Sequence, residues 1–222
     1  MYQYILFDLD GTLTDSKEGV LECVRYAIET LGAPVPDGPD LLKFIGPPLQ
    51  DSFMQYCGFS REQAQEALRL FQDRYVPVGQ FKNRPAPGIA EMMGRLKARG
   101  YVLALASSKA ETQCVPICRR FGFEPHLAVI SGSSGGRDQS KAEVIRSAMD
   151  RLGLSGPGHA LMVGDRKYDV EGARACGMDC VGVEFFGYAP PGELAEAGAV
   201  AVVRTVAELE SFILDHGIGT LR

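Results

Sequence analysis

The sequence predicts an α/β protein: a Rossmann-like, doubly wound parallel sheet with a helical segment inserted after the first strand. Three observations predict it. Short, near-continuous apolar runs alternate with helical patterns along most of the chain, as expected of strands covered on both sheet faces. The helical patterns carry recognisable start and stop signals. One long stretch after the first apolar run is helical throughout and holds no strand pattern.

Tyr4 to Phe7 reads as the first strand. From about Ser16 to Phe81 only helices follow. Val20, Val24, Ala27, Ile28 and Leu31 line one face of a first helix, and Gly32 ends it. Ser60-Arg61-Glu62-Gln63 is a capping box opening a helix striped by Ala64, Ala67, Leu68, Phe71 and Tyr75. Between them, Phe44 to Leu49 forms a turn, followed by a short helix to about Tyr56. The Pro- and Gly-rich stretch Lys82 to Gly88 reads as a return linker. The expected domains are therefore 1–15 with 83–222, and 16–82.

Alternation then resumes. Gly88 to Ala98 buries Ile89, Met92, Met93 and Leu96. Strands follow at Tyr101 to Ala106, Leu127 to Ile130, Ala160 to Val163, Cys180 to Val183 and Ala199 to Val203. Ser140-Lys141-Ala142-Glu143 caps a helix with Val144, Ile145, Ala148, Met149 and Leu152 on one face. Thr205-Val206-Ala207-Glu208 repeats the device before Leu209, Phe212 and Ile213. Strands alternating with helices give an open, mostly parallel sheet.

The chain has 222 residues, 45% hydrophobic, with a net charge of −5. An acidic balance argues against a nucleic acid polymer or an anionic membrane as partner, and leaves a small anionic metabolite open. No signal-peptide pattern and no membrane-length apolar stretch is present, so a cytoplasmic protein is expected, monomeric or a homodimer. The six cysteines form no C-x-x-C pair and have no clustered histidine beside them. They read as free thiols in a reducing compartment.

Four segments carry chemistry. Phe7-Asp8-Leu9-Asp10-Gly11-Thr12-Leu13 sets two carboxylates two apart at the end of a strand, where open α/β sheets bind ligands. Clustered carboxylates need an offsetting cation or a shared proton, and Mg²⁺ is the natural one; a plain surface turn is the other reading. Leu161-Met162-Val163-Gly164-Asp165 runs another strand into an acid at the same edge, with Asp169 four residues on. Either acid can instead cap the following helix. Ser107 and Ser108 end a buried strand and, with the N–H groups of the next turn, can donate to phosphate oxygens; an N-cap is the alternative. Lys141 stands in a first helical turn, where the macrodipole disfavours a cation, a local conflict that points to function.

Together these segments resemble the haloacid dehalogenase superfamily, in its phosphatase branch, along the whole chain and in order. Asp8-Leu9-Asp10-Gly11-Thr12 resembles the first motif, Ser107 the hydroxyl of the second, Lys141 the lysine of the third, and Gly164-Asp165 with Asp169 the fourth. The resemblance implies that Asp8 is the nucleophile forming an aspartyl-phosphate and Asp10 the general acid and base. It implies Mg²⁺ held by Asp8, the Asp10 carbonyl and Asp165, with Asp169 a ligand or close by. It also implies Ser107 and Lys141 on the phosphoryl oxygens, and a cap domain in the helical insert. The chain looks most like phosphoglycolate phosphatases and 5′-nucleotidase-like proteins. Ala142 follows the lysine where many relatives have proline, which loosens the subgroup assignment. The rival expectations are a phosphomutase of the β-phosphoglucomutase type and a non-catalytic phosphate-binding module. Ser131 to Gly136 reads as a sheet-edge loop; Gly46-Pro47-Pro48, Arg84 and Arg137 are weaker candidates for substrate contact.

Overall fold

The first strand, β1 (Tyr4–Phe7), is fully buried at Ile5, Leu6 and Phe7. In the computed structural model, which describes residues 1–45, 47–134 and 139–218, β1 lies inside a six-stranded parallel sheet. Gly46 and Arg137, and the Gly135 and Gly136 part of the Gly/Ser loop, lie outside the described residues. The other strands are β2 (Val102–Ala110), β3 (Leu127–Ser133), β4 (Ala160–Gly164), β5 (Asp179–Val183) and β6 (Ala201–Val203). Their spatial order is β3-β2-β1-β4-β5-β6. The winding reverses between β1 and β4, and ligands of open α/β sheets bind outside the strand C-termini at such a switch point.

Strand ends differ from expectation in one consequential place. β2 was expected to stop at Ala106, yet it runs to Ala110 with a register shift against β3 past Ala106. Ser107 and Ser108 therefore lie within the strand. They cap no helix, and the next helix begins only at Glu111.

The chain divides into two compact units, Ser16–Arg84 and Met1–Asp15 with Pro85–Arg222. The boundary falls at Arg84 where the linker composition placed it at Lys82. The inserted unit contains α1 (Lys17–Thr30), α2 (Leu49–Cys57) and α3 (Arg61–Tyr75). Val24, Ala27 and Ile28 of α1 join Phe53, Ala64, Ala67, Phe71 and Tyr75 in an apolar core of its own. The Ser60–Gln63 capping box at α3 is complete on both sides.

The larger unit adds α4 (Ile89–Ala98), α5 (Glu111–Arg120), α6 (Lys141–Arg151), α7 (Lys167–Ala175), α8 (Glu193–Ala197) and α9 (Val206–His216). Period-2 alternation sorts the strand residues onto two faces. Ile5, Phe7, Leu103, Leu105 and Val163 meet α4, α5 and α9. Leu6, Ala104, Ala106 and Met162 meet α6, α7 and α8. The Ser140–Glu143 box at α6 is complete. At α9 only half of the device forms: Thr205 accepts the Glu208 N–H, but the Glu208 carboxylate turns to the Arg204 N–H. All six cysteines are free thiols, and Cys114 and Cys118 are buried core residues of α5. Among the described residues no helix is long and apolar enough to cross a membrane.

Candidate active site

Asp8 continues β1 past its last named residue, donating its N–H to the Val163 carbonyl at 2.9 Å. Leu6 faces α6 and α7, so Asp8, two residues on, projects the same way. Both helices begin at that edge. Lys141 is the first residue of α6, and Asp169 lies in the first turn of α7. The Lys141 ammonium sits 2.5 Å from Asp8 Oδ1 and 2.7 Å from Asp169 Oδ1. Those two ion pairs outweigh the dipole penalty, which is only about 0.3–1 kcal/mol. The conflict visible in sequence is thus resolved by residues far away along the chain.

Asp165 follows β4 and is buried. Its Oδ1 accepts from the Thr12 hydroxyl at 3.3 Å, while its Oδ2 is buried without a donor among the described residues. One oxygen from each of Asp8, Asp165 and Asp169 can be chosen so that all lie within 4.8 Å of one another. Three buried carboxylates with an orphaned oxygen fit a hard divalent cation with oxygen ligands, such as Mg²⁺. The cluster also explains two glycines. A Cβ on Gly11, at φ +86°, would stand 2.1 Å from Asp165 Oδ2, and one on Gly164 would stand 2.2 Å from Asp169 Cγ. Only glycine lets the backbone approach the carboxylates this closely.

The electrostatics follow from burial. Desolvation pushes the Asp8 carboxyl up to about 6, with Lys141 pulling it back and Asp169 and Asp10 adding to the rise. Desolvation, then Asp169 and Asp8, raise the Asp165 carboxyl well above the usual range. Burial works against the Lys141 charge, yet Asp169 and Asp8 more than offset it and hold the ammonium above its ordinary value. Asp169 is engaged on both oxygens, its Oδ2 accepting the Arg166 N–H at 3.0 Å. It therefore serves the helix start and Lys141 together.

Ser107 is 2% exposed, and its hydroxyl accepts the Lys109 N–H at 3.4 Å. Ser108 points the other way along the strand and is exposed. Asp10 is not part of the three-carboxylate cluster. Its side chain pairs with Lys109, Oδ2 to Nζ, at 2.7 Å. Lys109 and Thr12 are the site residues that sequence reasoning left without a role. A lysine or threonine beside a motif carries no spacing signal of its own, and only the fold brings them to the carboxylates.

The family model for haloacid dehalogenase-like hydrolases matches residues 5–183. A 5′-nucleotidase of Pseudomonas aeruginosa is 39% identical, over 97% of this chain and 97% of that protein. The tyrosine-protein kinase PtkA of Mycobacterium tuberculosis is 40% identical over 81% of this chain and 61% of its own length. The crystal structure of a predicted phosphatase from Clostridium acetobutylicum superposes with a TM-score of 0.89 at 39% identity, covering 97% of this chain and 99% of that one.

Proposed function

The chain belongs to the haloacid dehalogenase-like hydrolases and is a phosphatase, and from that premise we propose that it hydrolyses small organic phosphate monoesters, Mg²⁺-dependently, through a phosphorylated Asp8. Nucleoside 5′-monophosphates are the leading substrate class, and phosphoglycolate is the second. The observation that carries the reading is Lys141 seated between Asp8 and Asp169, two acids that cluster with a third buried one, Asp165, which has an oxygen without a donor among the described residues. A structural ion pair needs no third buried acid nearby, whereas phosphoryl transfer needs concentrated, opposed charge.

Asp8 attacks phosphorus, so its carboxylate must be ionised and unprotonated at the attacking oxygen. Lys141 keeps it so in spite of burial. Asp10 donates a proton to the leaving oxygen as the ester P–O bond breaks, then takes a proton from the water that attacks the aspartyl-phosphate. The Ser107 hydroxyl and the Lys141 ammonium hold phosphoryl oxygens, whereas the Ser108 side chain, turned to the opposite side of the strand, does not share that grip. Asp8, Asp165 and the Asp10 carbonyl would hold Mg²⁺, with Asp169 fixing Lys141 and contributing to the same negative cluster. Bound there, the ion supplies positive charge against the carboxylates and the transferring phosphoryl group.

The test is release of inorganic phosphate from p-nitrophenyl phosphate, a nucleoside 5′-monophosphate panel and phosphoglycolate, with and without Mg²⁺. Asp8→Asn is expected to abolish release on every substrate. Comparable turnover by that variant sinks the mechanism. Sugar-phosphate isomerisation without phosphate release would favour a mutase.

A further inference from the structure

Resting on that reading, we propose that Lys109 is a positioning residue for the acid–base group: its ammonium fixes the Asp10 carboxylate by one oxygen and leaves the other free to carry the proton. Lys109 is no ordinary surface lysine. Its side chain is only 9% exposed, and its Nζ lies 2.7 Å from Asp10 Oδ2. Lys and Arg are almost never so enclosed unless paired. Asp10 Oδ1 is buried and has no donor among the described residues. The carboxylate thus has one oxygen held and one available.

The backbone of Lys109 is itself anchored. Its N–H donates to Ser107 Oγ at 3.4 Å, and its carbonyl accepts from the Cys114 thiol at 3.6 Å. β3 approaches that carbonyl closely, since a Cβ on Gly132 would stand 2.6 Å from it. The extension of β2 beyond Ala106 places Lys109 in the strand. The same short segment therefore presents the phosphate-facing hydroxyl and the clamp on Asp10. A group acting in proton transfer gains from such fixed geometry, because misplacement by about 1 Å can cost on the order of a hundredfold.

The experiment compares Lys109→Met, Lys109→Arg, Asp10→Asn and the Lys109→Met/Asp10→Asn double variant. Each is assayed on a nucleoside 5′-monophosphate, whose alkoxide must be protonated to leave, and on p-nitrophenyl phosphate, whose phenolate leaves readily. Lys109→Met is expected to lower kcat on the nucleotide by about 10- to 100-fold, a share of the ordinary acid–base contribution. KM should change by less than about threefold, the fall on p-nitrophenyl phosphate should be smaller, and Lys109→Arg should recover most of the loss. On the Asp10→Asn background, loss of the lysine should cost no more than about twofold. The double variant lacks both charges of the buried pair, so it also controls for folding. A raised KM at unchanged kcat would make Lys109 a substrate-anion contact and overturn the proposal. So would equal losses on both substrates, or an undiminished loss on the Asp10→Asn background. If wild type is active and Lys109→Met matches it, this inference fails alone. A wild type inactive on every ester overturns the hydrolase reading and the inference with it.

Discussion

Replacing Lys141 with methionine keeps a stem of similar length and removes the cation between Asp8 and Asp169. The consequence in metal-free buffer can be worked from Asp8, whose carboxyl rises from its ordinary 3.8 to about 6. A folded-state value above the unfolded one means that the folded state binds more protons between those two pH values. Stability therefore falls as pH rises through that window and stays lowered above it. In the wild type the cost levels off at about 3 kcal/mol, roughly two units at about 1.36 kcal/mol each. Without Lys141 the carboxyl moves higher still, and the cost grows until Asp8 is simply protonated. That ceiling is about 5 kcal/mol at about pH 7.5 and about 2 kcal/mol at about pH 5.5, where the wild type already bears nearly as much. The Asp8 part of the loss is thus about 2 kcal/mol at about pH 7.5 and a few tenths at about pH 5.5. The stranded Asp169 carboxylate adds to it, toward the roughly 3–5 kcal/mol typical of a broken buried pair. Urea unfolding in EDTA at both pH values measures the difference. A deficit that is equal at the two pH values, or below about 1 kcal/mol at the higher one, would refute the reasoning, since lost packing alone carries no such pH dependence.

Mg²⁺ binding should weaken with acid for the same reason, because the proton and the cation compete for Asp8. With its carboxyl near 6, the ionised fraction falls from about nine-tenths at about pH 7 to about one-tenth at about pH 5, a Kd at least about tenfold weaker; calorimetric titration showing no change would rule this out. Gly172→Ala tests how tightly Lys141 is seated. The new Cβ would stand 2.8 Å from Lys141 Cγ and 2.9 Å from its Cβ. Alanine favours a helix over glycine by about 1 kcal/mol, but overpacking costs about 1–3 kcal/mol. A net loss of stability with a larger fall in kcat is expected, and a stabilised variant with unchanged kcat would show that the lysine stem is not confined.

What the sequence could express depended on whether a residue's role was local. The helical faces were legible because apolar spacing reports burial directly: Ile89, Met92, Met93 and Leu96 are all fully or nearly fully buried on α4. Asp8 and Asp165 were legible because strand ends in a doubly wound sheet share an edge, so the sequence alone places the two separate motifs together. The boundary of β2 was not legible. Ser107-Ser108-Lys109 has the polarity of a turn, and only pairing with β3 across a register shift carries the strand on to Ala110. That misreading hid Lys109. A polar residue in a presumed turn reads as solvated, whereas in the strand its stem is enclosed and its charge meets Asp10. Lys141 escaped the same fate because its position contradicted a local rule, and the contradiction was visible without knowing the partner. A buried cation that breaks no local rule leaves no trace in sequence, so site residues of that kind come to light only when the strand that carries them is traced to its end.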